Sequence, residues 1–476
     1  MSDRRLFRWA PMSARVLAGT LVAVAFVVAF VVAVVTAVSV PWPTVAREPV
    51  AVTATPAPSA SILVCTGGLL ALGRELEDAG RLVAAAPQTV AIGVAPGDPA
   101  PTTQPLGSPA ADGTAPATAV VAGPIDGAQA DVAASGSSTV SADDLRGFAA
   151  SACRPALMES WLVGGSAATG AADVVLLANP GAVPASVQLT VFGAGGAVMP
   201  TGGSDLVVAP GAQIVIPLAG LLLGEESPVI RVTATGAPVQ AALQASITRT
   251  LLPGGVDQVG AIAVAAPDQV IPGVAVTQNP GADGASDAAT LVRILSPNAD
   301  TTATIAVTPI GASTEASATT TVPLTAGLPT EVELGALAVG QYTVEVSAEE
   351  AVLAAVWQTT GFGEGSDFAW YAAAPAVSAP TLFATPPGPA PVLALANPTD
   401  EAITVAVDAV DGSFTTRVTV AAGGSDSVRL SAQSVYRLDT GGGGIRAGVS
   451  QASDGALAGF AVWPSDAAAQ QITVYP

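Results

Sequence analysis

The chain has 476 residues, too many for one ordinary core, and carries a net charge of −21 from only 11% charged residues. All 16 basic residues are arginines, with no lysine and no histidine. That balance repels phosphate backbones, so nucleic acid is excluded as a partner, and the two missing residue types remove Ser-His-Asp triads, histidine-ligated zinc, Walker A loops and Schiff bases.

The N-terminus sets the location. Residues 1–15 form a basic tail with Arg4, Arg5, Arg8 and Arg15, and residues 16–40 then run 25 positions without a charge. As a helix this run spans roughly 37 Å, enough to cross a hydrocarbon core of about 30 Å. The arginines favour a cytoplasmic N-terminus, giving a single-pass cell-membrane protein with its bulk outside. A cleaved signal peptide, with Val35-Thr36-Ala37 at the cleavage site, is the competing reading, but the apolar run exceeds the usual signal core of about 7–15 residues.

Residues 41–60 read as a Pro/Ala/Thr-rich spacer that favours extended conformations. A mixed region follows at 61–156. Here SILVC, QTVAIGVA and ATAVVAG read as strands, LLALGRELEDAGRLV as a short helix, and SADDLRGFAA as a second helix capped by Ser141 with Asp143 and Asp144 in its first turn. Cys65 and Cys153 lie in this exported region, where a pair tends to oxidise, so a Cys65–Cys153 disulfide is expected.

From Trp161 onward, short runs alternate apolar and polar residues between Pro, Gly, Asn and Asp turns. The cadence recurs at Asn179-Pro180, Ser296-Pro297-Asn298 and Asn397-Pro398, and each turn ends one strand before an antiparallel return. About seven short strands per 100 residues is the spacing of an immunoglobulin-like sandwich. The predicted fold is therefore mainly β: an N-terminal transmembrane helix followed by tandem immunoglobulin-like β-sandwich modules at 157–266, 267–378 and 379–476.

The segments SWLVGGSAATGAADVVLLANPG, SITRTLLPGGVDQVG, IPGVAV and SDFAWYAAAP resemble, in that order, landmarks of an uncharacterised family of actinobacterial membrane-anchored proteins, domain of unknown function 5719. The resemblance runs from about residue 61 to the end. It implies an anchor, export and a β-rich ectodomain, and it brings no catalytic residues.

Few residues offer chemistry. The adjacent acids Glu225-Glu226 and Glu349-Glu350 could serve a two-carboxylate hydrolase, but both read as solvated residues beside turns. Asp408, Asp411 and Gly412 form a fragment of a calcium loop and read more plainly as a hairpin turn. Gly441–Gly444 and GFGEG at 361–365 lack the strand-to-helix context of a phosphate cradle. Trp161 is expected to pack near Cys153, and Trp357 and Trp463 on equivalent late strands. Phe368, Trp370 and Tyr371 cluster three scarce aromatics into a candidate contact surface for a partner or glycan. No catalytic, metal or cofactor site is assigned. The expected function is a non-catalytic envelope protein that binds or spaces envelope polymer. An accessory subunit of a membrane enzyme or transporter is the second reading, and a carboxylate hydrolase the third.

Overall fold

The computed structural model describes residues 10–39, 52–54, 58–74, 80–108, 116–278, 290–311, 316–465 and 472–474. The basic tail before residue 10 and most of the 41–60 spacer lie outside these residues. Two units are described separately. The first contains helix α1, Ala10–Ser39, whose segment Ala18–Thr36 is apolar and long enough to cross a membrane, with none of it buried against protein. It also contains a strand pair in which Val52–Ala54 runs antiparallel to Ile472–Val474.

The second unit, residues 57–469, is almost entirely β. Three sandwiches, each with eight strand positions, follow one another over 159–260, 266–372 and 381–461; the fourth position of the first is split into Gly196–Val198 and Leu206–Val208, and a short extra strand, Ala376–Val377, precedes the third. Each has the same strand order. The first, sixth, third and fourth strands form one antiparallel sheet, and the fifth, second, seventh and eighth form the other. In the second sandwich one 20-residue strand, Gly340–Thr359, supplies both the sixth and the seventh positions. The pairs second–fifth and third–sixth match the immunoglobulin order. The first strand, however, pairs with the sixth instead of the second, and the seventh with the second instead of the sixth.

The N-terminal region repeats this plan in reduced form. Ser61–Cys65, Thr118–Ala122 and Thr102–Pro105 make one small sheet, and Thr89–Val94, Val132–Ser141 and Arg146–Ala152 the other. These are the first, sixth and third, then the second, seventh and eighth positions of the sandwich, with no fourth or fifth strand among the described residues. Both helices expected here are overturned. Leu69–Leu72 and Leu82–Ala86 form a hairpin, with 75–79 outside the described residues, and Ser141 ends a strand. Residues 142–145 are the turn of the next hairpin, closed by Ala142 N–H to the Leu145 carbonyl at 2.9 Å. Alternating small residues suit either structure, and the antiparallel partners decide it. The disulfide joins Cys65, ending the first strand, to Cys153, just after the last.

Burial explains the two kinds of strand pattern. The third strands alternate, as in Ala185–Gly193 and Ile403–Ala409, because one face meets solvent. The second strands, such as Val174–Asn179, are buried on both faces. One face meets the opposite sheet, and the other meets neighbouring sandwiches. At the end of that strand the side-chain amide of Asn179 donates to the carbonyls of Val183 (2.8 Å) and Val208 (3.0 Å). Asn397 does the same to Glu401 (2.7 Å) and Val420 (3.2 Å). Ser296 holds the corresponding turn through Ala299 at 2.5 Å. The repeated cadence is thus a buried turn lock that ties the second strand to the strand after the turn.

Candidate functional site

The eighth strands organise everything else. Arg146–Ala152, Leu252–Gly260, Phe368–Ala372 and Ala456–Ala461 pack on one another in cyclic order, the last returning to the first. Asp367, fully buried, sits at their junction. Its carboxylate accepts backbone N–H groups from Phe148 (2.9 Å), Val256 (3.1 Å) and Leu457 (3.1 Å), one from each of the other three eighth strands. Burial pushes its pKa up to about 7, against the pull of those donors. Gly147 and Gly255, both at positive φ, flank it; a Cβ at either would lie 2.6–2.7 Å from Asp367 Oδ1. Neighbouring Asp257 accepts from Trp370 N–H at 2.7 Å and Gln258 N–H at 2.8 Å, and burial raises its pKa well above the carboxylate range.

The chemistry-bearing cavity lies nearby, in the seam between the first and second sandwiches. It measures about 160 Å3 and is lined by Asp173, Arg293, Glu331, Trp357, Phe368 and Trp370, among others. Arg293 is buried in Thr290–Leu295, and the strand register places it directly opposite Glu331. Its Nε and Nη2 donate to Glu331 Oε1 at 2.9 and 2.7 Å, and Nη1 donates to the carbonyls of Gly165 (2.8 Å) and Pro228 (2.9 Å). One side chain therefore clamps two sandwiches together. Its guanidinium also lies 4.6 Å from the centre of the Trp370 ring. Asp173 takes N–H groups from Ser166 (2.7 Å) and Ser246 (2.8 Å), and burial carries its pKa to about 7. Gly164 and Gly165 leave room for this arrangement: a Cβ on one would press on the Trp370 indole at 3.2 Å, and on the other would lie 2.7 Å from Asp173 Oδ2.

Phe368, Trp370 and Tyr371 do not form an outer contact surface, since all three are buried. A strand sends alternate side chains to opposite faces, so Phe368 and Trp370 wall the seam cavity while Tyr371 points the other way and packs on Gly459. Trp357 lines the same cavity and meets Phe368 at 6.1 Å and Phe362 at 6.5 Å. It is not equivalent to Trp463, which follows an eighth strand and lies over Arg154 at 4.9 Å. Trp161 packs on Phe192 at 5.5 Å.

The acids singled out in the sequence lie elsewhere. Glu225 accepts from Ala194 and Ser227 N–H groups. Glu349 and Glu350 are exposed on the long strand where it passes between sheets, not beside a turn. Asp411 accepts from Ser413 N–H at 2.9 Å within a hairpin turn. Sequence reasoning missed Asp173, Asp257, Arg293 and Glu331. The available signal was a single acid inside an apolar run, as in ADVVLL and GVDQVG.

A larger cleft of about 380 Å3 lies between the N-terminal region and the third sandwich, with mostly apolar walls. Its acid, Asp131, is engaged by the Ser465 hydroxyl at 2.8 Å.

No curated protein matches the chain. The profile of a family of unknown function, DUF5719, matches residues 109–433, more than half of the sequence, with the whole of the seam and the junction at Asp367 apart from the strand that carries Leu457. The chain belongs to that family.

Proposed function

We propose that this is a non-catalytic protein of the cell envelope, held at the membrane by α1 with its sandwiches outside, which binds or spaces envelope components. The observation that carries the reading is how the buried ionisable groups are used. Asp173, Asp257 and Asp367 accept backbone N–H groups, and Arg293 is spent on carbonyls and on Glu331. Asp257, Asp367 and Arg293 so engaged fix sandwiches to one another, and Asp173 ties segments of the first sandwich together, so these groups are committed to the structure. The disulfide supports an oxidising location, and the length and apolarity of α1 support an anchor.

The test is co-sedimentation of the full-length protein, in detergent, with protein-free cell-wall material across a range of salt concentrations. Saturable binding is expected; its absence sinks the polymer-binding form of the reading. A second reading, an accessory subunit, draws on the edge strand Ala318–Leu324, whose threonines are exposed and whose outer side has no sheet partner among the described residues. Such an edge accepts a partner strand. Crosslinking in intact membranes tests it: a specific crosslinked membrane protein is expected, and none would remove it.

A further inference from the structure

We infer that the seam cavity between the first and second sandwiches is a binding site for one neutral sugar ring, stacked on Trp357 and hydrogen-bonded to the free carboxylate oxygen of Glu331. This deepens the envelope-binding reading and rests on it.

Size comes first. At about 160 Å3 the cavity is below the ~300 Å3 at which sites for drug-sized ligands begin, so it takes a single ring or the end of a chain. The walls then select the chemistry. Arg293 commits its Nε, Nη1 and Nη2 donors to Glu331 and to the carbonyls of Gly165 and Pro228. The Ser246 hydroxyl donates to the Ala172 carbonyl at 3.1 Å. What remains is acceptor capacity. Glu331 uses only Oε1 on Arg293, its side chain is one-third exposed, and its Oε2 has no hydrogen-bond partner among the described residues. A carboxylate has about four acceptor sites, so Asp173 also keeps capacity beyond its two amide donors.

The other walls are aromatic. Trp370 already has a guanidinium at its ring, and Phe368 is buried, whereas Trp357 is only partly buried and offers its indole to the cavity. A ligand that donates several hydrogen bonds and also presents an apolar C–H face is a hydroxyl-rich ring. An ammonium ligand would also suit acids and aromatics. Here, however, Arg293 pairs with Glu331, and burial favours the neutral form of Asp173, so the wall holds little unpaired negative charge to draw a cation.

Intrinsic tryptophan fluorescence of the full-length protein in detergent, titrated separately with N-acetylglucosamine trisaccharide, arabinose oligomers, galactose oligomers and tetramethylammonium, tests this. A saturable change with at least one neutral saccharide is expected, weakened at least tenfold by Trp357→Ala and largely kept by Trp357→Phe. Unchanged thermal melting of both variants confirms that they fold. No response to any saccharide, equal affinity in Trp357→Ala, or a response to tetramethylammonium alone would each overturn the assignment. The parent reading fails separately. Wild type and Trp357→Ala sedimenting equally with cell-wall material would place polymer binding elsewhere, while saccharide binding without sedimentation would sink polymer binding and leave the site.

Discussion

The junction at Asp367 and the seam at Arg293 solve the same problem with opposite charge arrangements. Both bury carboxylates against backbone N–H groups, and both join separate sandwiches. At the junction no cation among the described residues accompanies Asp367 or Asp257; amide donors hold them, and the strands close tightly around glycines. At the seam an arginine enters with its own carboxylate partner, aromatic rings surround it, and a cavity remains. The contrast separates a rivet from a frame: amide-only burial fills space, whereas the ion pair with its planar rings leaves a walled opening.

Substitution breaks the comparison most sharply. Asp367→Ala leaves three buried N–H groups unpaired and is expected to destabilise the β unit by roughly 3–5 kcal/mol, read as the loss in chemical denaturation. Arg293→Met strands the two carbonyls of Gly165 and Pro228 and should cost less, roughly 2–4 kcal/mol. If the order were reversed, the clamp and not the rivet would be the main joint.

Acidity sharpens it next. Asp173 and Asp367 have folded-state pKa values near 7 against about 4 when unfolded. The folded state therefore retains protons that the unfolded chain releases. Their contribution is fully present below about pH 4 and is lost as pH rises towards 7. Melting temperature is expected to fall between pH 5 and pH 8, and part of that slope should vanish in Asp367→Asn. Relief of the −21 net charge on acidification acts in the same direction in both proteins, so the difference between them isolates the buried group. A slope identical in the two would remove Asp367 as its source. The smallest effect is expected at the turn locks. Asn397→Ala should cost roughly 1–2 kcal/mol with no change in this pH slope, measured by the same melts.

Much of the architecture was readable because it is local. Alternation along Ala185–Gly193 and the Asn-Pro turns at 179 and 397 report strand, face and reversal within a few residues. The reduced N-terminal sandwich was not readable, because a hairpin at 69–86 separates its first two strands and its alanine-rich runs fit helix as well as strand. The seam and junction were hidden for another reason: their partners come from distant segments. Phe148, Val256 and Leu457 meet Asp367 across 219, 111 and 90 residues. The aromatic cluster was seen as a cluster, but its burial depended on surfaces the cluster itself does not encode. Three of the segments that carried the family resemblance supply Asp173, Asp257 and Asp367 and glycines beside them, whereas Arg293, Glu331, Phe148 and Leu457 come from outside those segments.

The cyclic packing of the eighth strands fixes how many repeats the chain can hold. An open stack of repeats can gain or lose a unit at little cost, and needs special end units to cover its exposed faces. Here every eighth strand already has a neighbour on both sides, and one aspartate takes a hydrogen bond from each of the other three. A fifth repeat would have nowhere to dock, and a chain of three would leave Asp367 short of a donor. Among the described repeats, copy number is thus a closed count, set by the ring of eighth strands and marked by the one aspartate that all of them reach.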